Sequence, residues 1–167
     1  MTNSNNKEPY IYLVVGEDTN YNRTIKNSID IEDLYNKNLI EKGVYIKLNE
    51  IYPDNKMKCW GFPDNAKKDA VWEKMSKNDL CLMYNNHKIV MSGLITYKFH
   101  NKQVAEYIWQ SDDEPFEYIF CLEDVHILDI PSEKVLIDEF GYQRYYIMGG
   151  NGLAKNKYNK VLERHGT

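Results

Sequence analysis

Apolar residues along the chain fall into short blocks separated by polar, turn-forming stretches. Tyr10-Ile11-Tyr12-Leu13-Val14-Val15 is one such block, ended by Gly16, and predicts a buried strand. Residues 16–27 are polar and read as a loop. Asp30 stands where a helix cap belongs, with Ile31, Leu34, Tyr35 and Leu39 on one face and Gly43 beyond the end. Residues 44–48 alternate and predict a strand, and 49–59 form a polar connection through Pro53-Asp54-Asn55. After Trp60-Gly61-Phe62-Pro63, Asp64 caps a second predicted helix whose apolar face is Ala66, Ala70, Val71, Trp72 and Met75.

Lys77-Asn78-Asp79 then turns the chain into a strand over 80–84. Asn85-Asn86 is a turn signal, and 89–99 returns as a long strand in which Gly93 marks a bulge or a close backbone approach. A second turn falls near His100-Asn101-Lys102, before a strand over 104–109. Asp112-Asp113-Glu114-Pro115 is a polar loop, followed by strands over 116–122 and 125–130. Pro131-Ser132 opens a short helix. Residues 142–148 read as a strand, 149–152 as a loop and 154–164 as a helix. No internal repeat is visible. Residues 1–8 are polar and expected to be a disordered tail, leaving 9–167 as one domain. This mixture predicts an α+β domain on a curved, mainly antiparallel sheet flanked by helices.

Composition narrows the function. A formal charge of −4 supplies no basic field to hold duplex DNA non-specifically. Tyrosine is in excess, with 14 residues, and so is asparagine. Cys59, Cys81 and Cys121 share no CxxC spacing, and the last two lie in apolar runs, which fits a reducing, cytoplasmic setting. No apolar run approaches membrane-spanning length. The four histidines are scattered, and no hydrolase elbow, phosphate loop or zinc-protease motif is present. Asp112, Asp113 and Glu114 form a carboxylate cluster that a metal-dependent nuclease could use, although adjacent loop carboxylates are ordinarily solvated. The expectation is a non-catalytic protein without a metal or cofactor.

Trp60 and Trp109 lie at the edges of predicted elements, each beside turn-forming or polar residues. A ring so placed can wall a slot for a flat ligand, as in modules that stack unpaired bases. Around these residues the chain resembles the YTH and EVE domains of the PUA-like superfamily. The resemblance starts at Trp60-Gly61 before a helix and continues through Asn78-Asp79 leading into an apolar strand. It then takes in Gly93 within the next strand, Ile108-Trp109 before a polar loop, and an aromatic-rich stretch running to Ile130-Pro131. It implies a small PUA-like β-barrel flanked by helices and an aromatic cage for a modified base. Similar domains open McrB-like restriction subunits.

Carried over residue by residue, the resemblance makes Trp60 and Trp109 two cage walls, with Phe116 or Tyr118 as the third. Gly61 offers its backbone to the base edge. Glu17, Asp18 and Asn20 occupy the loop where the family places base-recognising polar residues, although their sequence departs from the family's pattern. Lys56, Lys58 and Arg144 are candidate phosphate contacts, with Lys67, Lys68 and Lys155 as further ones. The implied partner is modified DNA carrying N6-methyladenine, with modified cytosine as the other choice. The chain would then target a restriction or defence system whose motor or nuclease lies in another domain or subunit. An RNA reader of the same fold and a binder of small nucleotide metabolites are the alternatives.

Overall fold

The computed structural model describes residues 10–65, 68–69, 71–110, 114–134 and 151–153, the last three by their backbone. Their centre is a seven-stranded sheet in the order β2-β3-β6-β5-β4-β1-β7. The strands are β1 (Ile11–Val15), β2 (Ile29–Asp30), β3 (Lys56–Phe62), β4 (Leu80–Asn85), β5 (Lys88–His100), β6 (Tyr118–Pro131) and β7 (Asn151–Leu153). All neighbours pair antiparallel except β1 and β4, which are parallel with Ile11 opposite Leu80. The α+β class and the mainly antiparallel sheet flanked by helices are as the sequence predicts. Among the described residues no ladder joins β2 to β7, so the sheet is open at those edges.

β5 and β6 are long because bulges coil them rather than end them. Their register shifts at Ile89/Met91, Ser92/Leu94 and Ile95/Tyr97. Gly93 lies at the middle shift, as expected. Asp124 has φ of 50°, and this local kink is what the sequence presents as a break between two strands. β6 runs through it continuously, and begins at Tyr118 rather than at Phe116.

Several segments correct the sequence expectation. Residues 16–27 are not a loop: they carry helix α1 (Asp18–Tyr21) and a π-helical turn (Asn22–Lys26). The Glu17 carboxylate caps α1 by accepting from Thr19 N and Asn20 N. Residues 44–48 belong to helix α3 (Lys42–Ile51), which also contains Gly43. There Val44, Leu48 and Ile51 share one face at helical spacing, and Tyr45 stacks on Tyr35 at 4.1 Å. The preceding helix α2 (Ile31–Asn36) has Asp30 as its cap, as predicted.

Residues 104–109 form no strand but lie in helix α4 (Lys102–Trp109). Asn101 Oδ1 accepts from Val104 N at 2.9 Å, and the Asn101 amide donates to Leu39 O. Gln110 closes the helix in the left-handed conformation. β-branched and aromatic residues disguised this helix, and tertiary packing overrode their strand preference. Similarly β7 begins at Asn151, inside a predicted loop. The segment before β4 holds a short 3-10 turn (Trp72–Lys74), and Trp72 is only partly buried, donating through Nε1 to Ile119 O. The tail 1–8, the strand 142–148 and the helix 154–164 lie outside the described residues.

Two apolar clusters cover the two faces of the β3–β6 pair. One contains Tyr12, Ile25, Trp60, Phe62, Met83 and Phe120. The other packs Leu34, Leu48, Cys59, Ile108, Trp109 and Cys121 beneath α2, α3 and α4. The three thiols are fully buried, which pushes them well up and makes them inert core groups. Among the described residues no helix is long and apolar enough to cross a membrane.

Candidate functional site

Trp60 lies within β3 rather than at an element's edge, opposite Phe120 of β6, and is 2% exposed. Trp109 ends α4 and is equally buried. Alternation sends Trp60 to one face of the sheet, whereas Trp109 belongs to the cluster on the other. They meet because Gly61 has no side chain. A Cβ at Gly61 would sit 3.1 Å from Trp109 Cη2 and 2.5 Å from the Phe116 carbonyl oxygen. The missing methyl therefore leaves room at the end of β3 for the Trp109 ring tip and the Phe116 backbone to close on the strand.

Phe116 fills the third corner. Its ring centroid is 5.9 Å from Trp60 and 5.6 Å from Trp109, and the two indoles are 6.1 Å apart. All three pairs are strongly inclined, at 52° to 73°. Trp109 meets both other rings edge-to-face and Trp60 meets Phe116 at a tilt, as in rings packed on one another. Tyr118, the other candidate for this corner, points elsewhere. It pairs across from Phe62, stacks on His100 at 4.3 Å and meets Trp72 edge-on at 5.1 Å. The Lys68 ammonium lies over its ring but is held by Asp64, Asp69 and Glu73.

Beside the three rings is a small cavity lined by Asn20, Ala105, Glu106, Trp109, Glu114, Pro115 and Phe116. The centre of a water molecule has about 10 Å³ to move in it, so it holds roughly one water and no larger ligand. Asn20 is its most unusual wall. It is 5% exposed, and among the described residues its side-chain amide makes no hydrogen bond. Only its backbone is used, with its N–H donating to Glu17 and its carbonyl accepting from Thr24 Oγ1. That hydroxyl also accepts from Trp109 Nε1 at 3.3 Å. Thr24 thus ties the Asn20-bearing turn to an indole wall, a role nothing in the local sequence announces.

The other candidates divide by what already occupies them. Glu17 is the α1 cap, and the Thr19 and Asn20 amides hold its carboxyl below the usual range. Asp18 is exposed and accepts from the Asn85 amide at 2.7 Å. Lys56 is exposed at the start of β3. Lys58 turns its ammonium onto the Ile25 and Lys26 carbonyls, and burial lowers its pKa. Arg144, Lys67, Lys155, Asp112 and Asp113 lie outside the described residues, whereas Glu114 is exposed on the cavity rim. Of the sequence candidates, the structure brings together Trp60, Gly61, Trp109, Phe116 and Asn20.

No protein-family model matches the chain, and no curated protein matches it. Among solved structures it resembles the N-terminal domain of McrB from Thermococcus gammatolerans, solved bound to m5C DNA. The TM-score is 0.68 at 15% identity, over 92% of this chain and 95% of that one. It also matches human THYN1, solved with 5-methylcytosine-containing DNA, at a TM-score of 0.46 and 14% identity over 92% and 96% of the two chains. The chain therefore has the fold of the McrB N-terminal domain, the fold class that its sequence resemblance implied.

Proposed function

We propose that the chain is a non-catalytic reader of a methylated base in DNA. One base leaves its helix and packs on Trp60 and Trp109, while Asn20 meets its polar edge. The observation that carries this reading is the Asn20 carboxamide, buried and unpartnered among the described residues, on a cavity walled by Trp109 and Phe116. A buried polar group left without a partner costs about 1–3 kcal/mol, so such a group is expected to have a use. A carboxamide carries a donor and an acceptor side by side. The pairing edge of a base offers the complementary pattern, which a saturated or purely apolar ligand does not.

The rings provide the rest of the chemistry. Base–aromatic stacking contributes about 1–3 kcal/mol per base, and an added methyl in an apolar pocket about the same. Selectivity should therefore be about ten- to a few-hundred-fold. Glu106 and Glu114 on the rim repel phosphate, which suits a site entered by a neutral base rather than by the backbone.

5-Methylcytosine is the first candidate, because the McrB domain that shares this fold was solved on m5C DNA. N6-Methyladenine is the second, favoured by the resemblance of the Trp60-Gly61 and Ile108-Trp109 pattern to YTH domains. In a restriction or defence setting, cleavage would fall to a motor or nuclease in another domain or subunit. The test is binding to matched DNA and RNA oligonucleotides, single- and double-stranded, with cytosine, 5-methylcytosine, adenine or N6-methyladenine at one position. A tenfold preference for one methylated DNA, with binding tenfold or more weaker in Asn20→Ala, is the expected result. The same preference in RNA alone would make the protein an RNA reader. Equal binding of free nucleosides, without salt dependence, would favour a metabolite site. Flat, weak binding throughout would remove the reader function.

A further inference from the structure

The three rings leave no room for the ligand they are meant to hold. Two rings that sandwich a base stand about 7 Å apart and face each other, each about 3.5 Å from the base. Here Trp60 and Trp109 are 6.1 Å apart at 73°, and Phe116 touches both. The adjoining cavity takes about one water. A base can therefore reach the indoles only where one of the three rings now is. Trp60 and Trp109 are each 2% exposed, the first within a strand paired to β6, the second at the end of α4 and bonded to Thr24. Phe116 is only partly buried and lies in the irregular stretch between α4 and β6. Of the three it is the ring with the least to hold it.

We propose that Phe116 holds the base's place. Its ring occupies the stacking position in the free protein, and binding exchanges it for the methylated base. This inference rests on the reader function proposed above. It assigns Phe116 a part opposite to that of a third cage wall, and the two parts have opposite consequences. A place-holder reduces the apparent affinity by the fraction of molecules in which it has swung away. That fraction belongs to the free protein, so the reduction is the same for methylated and unmethylated bases. A third wall instead adds contact to the bound base, and adds most to the methylated one.

The experiment compares wild type, Phe116→Ala and Phe116→Leu for binding to the same duplexes, with cytosine or 5-methylcytosine, and adenine or N6-methyladenine, at one position. Folding of each variant is checked by its thermal transition. Phe116→Ala is expected to bind every duplex about tenfold tighter, with the ratio of methylated to unmethylated unchanged. Phe116→Leu, smaller and less matched to the indoles, is expected to move the same way by a few-fold, and it decides the matter if the alanine variant does not fold. Equal or weaker binding by a folded variant, or a collapsed methyl preference, overturns the place-holder and leaves the reader function standing. Absence of binding by wild type and both variants alike overturns the reader function itself.

Discussion

The indole Nε1 of Trp109 donates to Thr24 Oγ1 at 3.3 Å, and the same hydroxyl donates to the Asn20 carbonyl at 3.3 Å. One buried side chain therefore fixes both an aromatic wall and the turn that presents the Asn20 amide. Thr24→Val keeps the shape and removes both bonds. It is expected to cost about 1–3 kcal/mol of stability, because Trp109 Nε1 is left buried and unpaired. It should also weaken methylated-base binding several-fold by freeing the indole's orientation. Denaturant unfolding and oligonucleotide titration check the two effects. Unchanged affinity in a destabilised variant would confine Thr24 to a packing role.

Asn20→Ala separates function from stability. Removing a buried amide that has no partner among the described residues relieves its desolvation cost, while the lost packing works against the gain. Stability is expected to stay within about 1 kcal/mol of wild type, unlike most substitutions at a site only 5% exposed. Binding should fall tenfold or more. A large loss of stability would instead mean that the amide is satisfied in the free protein.

Gly61→Ala tests the close approach at the end of β3. The new Cβ would lie 2.5 Å from the Phe116 carbonyl oxygen, a backbone atom that cannot simply rotate aside. The expected cost is about 1–3 kcal/mol, as for other overpacking changes. The clash falls on the segment carrying Phe116, so the fluorescence of the neighbouring indoles should change with it. A variant as stable as wild type would show that this segment yields easily.

Much of the framework was legible because its signals are local. Asp30 caps α2 and Gly93 sits at a bulge, each where residue chemistry put it, and the turn from β4 into β5 falls on Asn86-His87, one residue beyond the Asn85-Asn86 signal. Polarity hid the helical turns of residues 16–27, and residues 44–48 and 104–109 were misread because β-branched or aromatic residues there serve a helix. In α4 the cap at Asn101 and the buried spacing of Val104, Ala105, Ile108 and Trp109 outweigh strand propensity. The ring trio could be assembled in outline from Trp60, Trp109 and Phe116. Its closeness could not, since it depends on Gly61 letting two faces of the sheet meet. Thr24 left no trace, because its role is a bond to a residue 85 positions away.

Lys56 and Lys58 sit on the same strand with different duties. Lys56 is exposed, so Lys56→Ala should reduce the salt dependence of DNA binding by about one phosphate contact and weaken all sequences alike. The Lys58 ammonium is bound to the Ile25 and Lys26 carbonyls at the end of the π-helical turn. Lys58→Ala should therefore leave the salt slope unchanged and lower stability, because it leaves those carbonyls without their donor. Titrations at several salt concentrations, with unfolding curves on the same samples, distinguish the two. A changed slope for Lys58→Ala would assign it to phosphate.

Glu17 should make the site sensitive to acid without touching a ligand. Its carboxylate accepts from Thr19 N at 3.0 Å and Asn20 N at 3.1 Å, so it both caps α1 and fixes the residue that offers the amide. The Thr19 amide is the larger cause of its lowered pKa. A carboxylate with a depressed folded-state pKa adds stability that is fully present above its ordinary value, about 4.3. That contribution is lost as pH falls through the lower, folded value. Glu17→Ala should accordingly cost about 1 kcal/mol near neutral pH, as for loss of other helix caps. The gap between variant and wild type should narrow as the solution is taken from about pH 5 into stronger acid. Glu17→Gln, which keeps an acceptor but no charge, should fall between them at pH 7 and lose its disadvantage in acid. Urea unfolding at pH 7 and in acid measures this. A gap of constant size would mean that Glu17 acts through packing rather than through its charge.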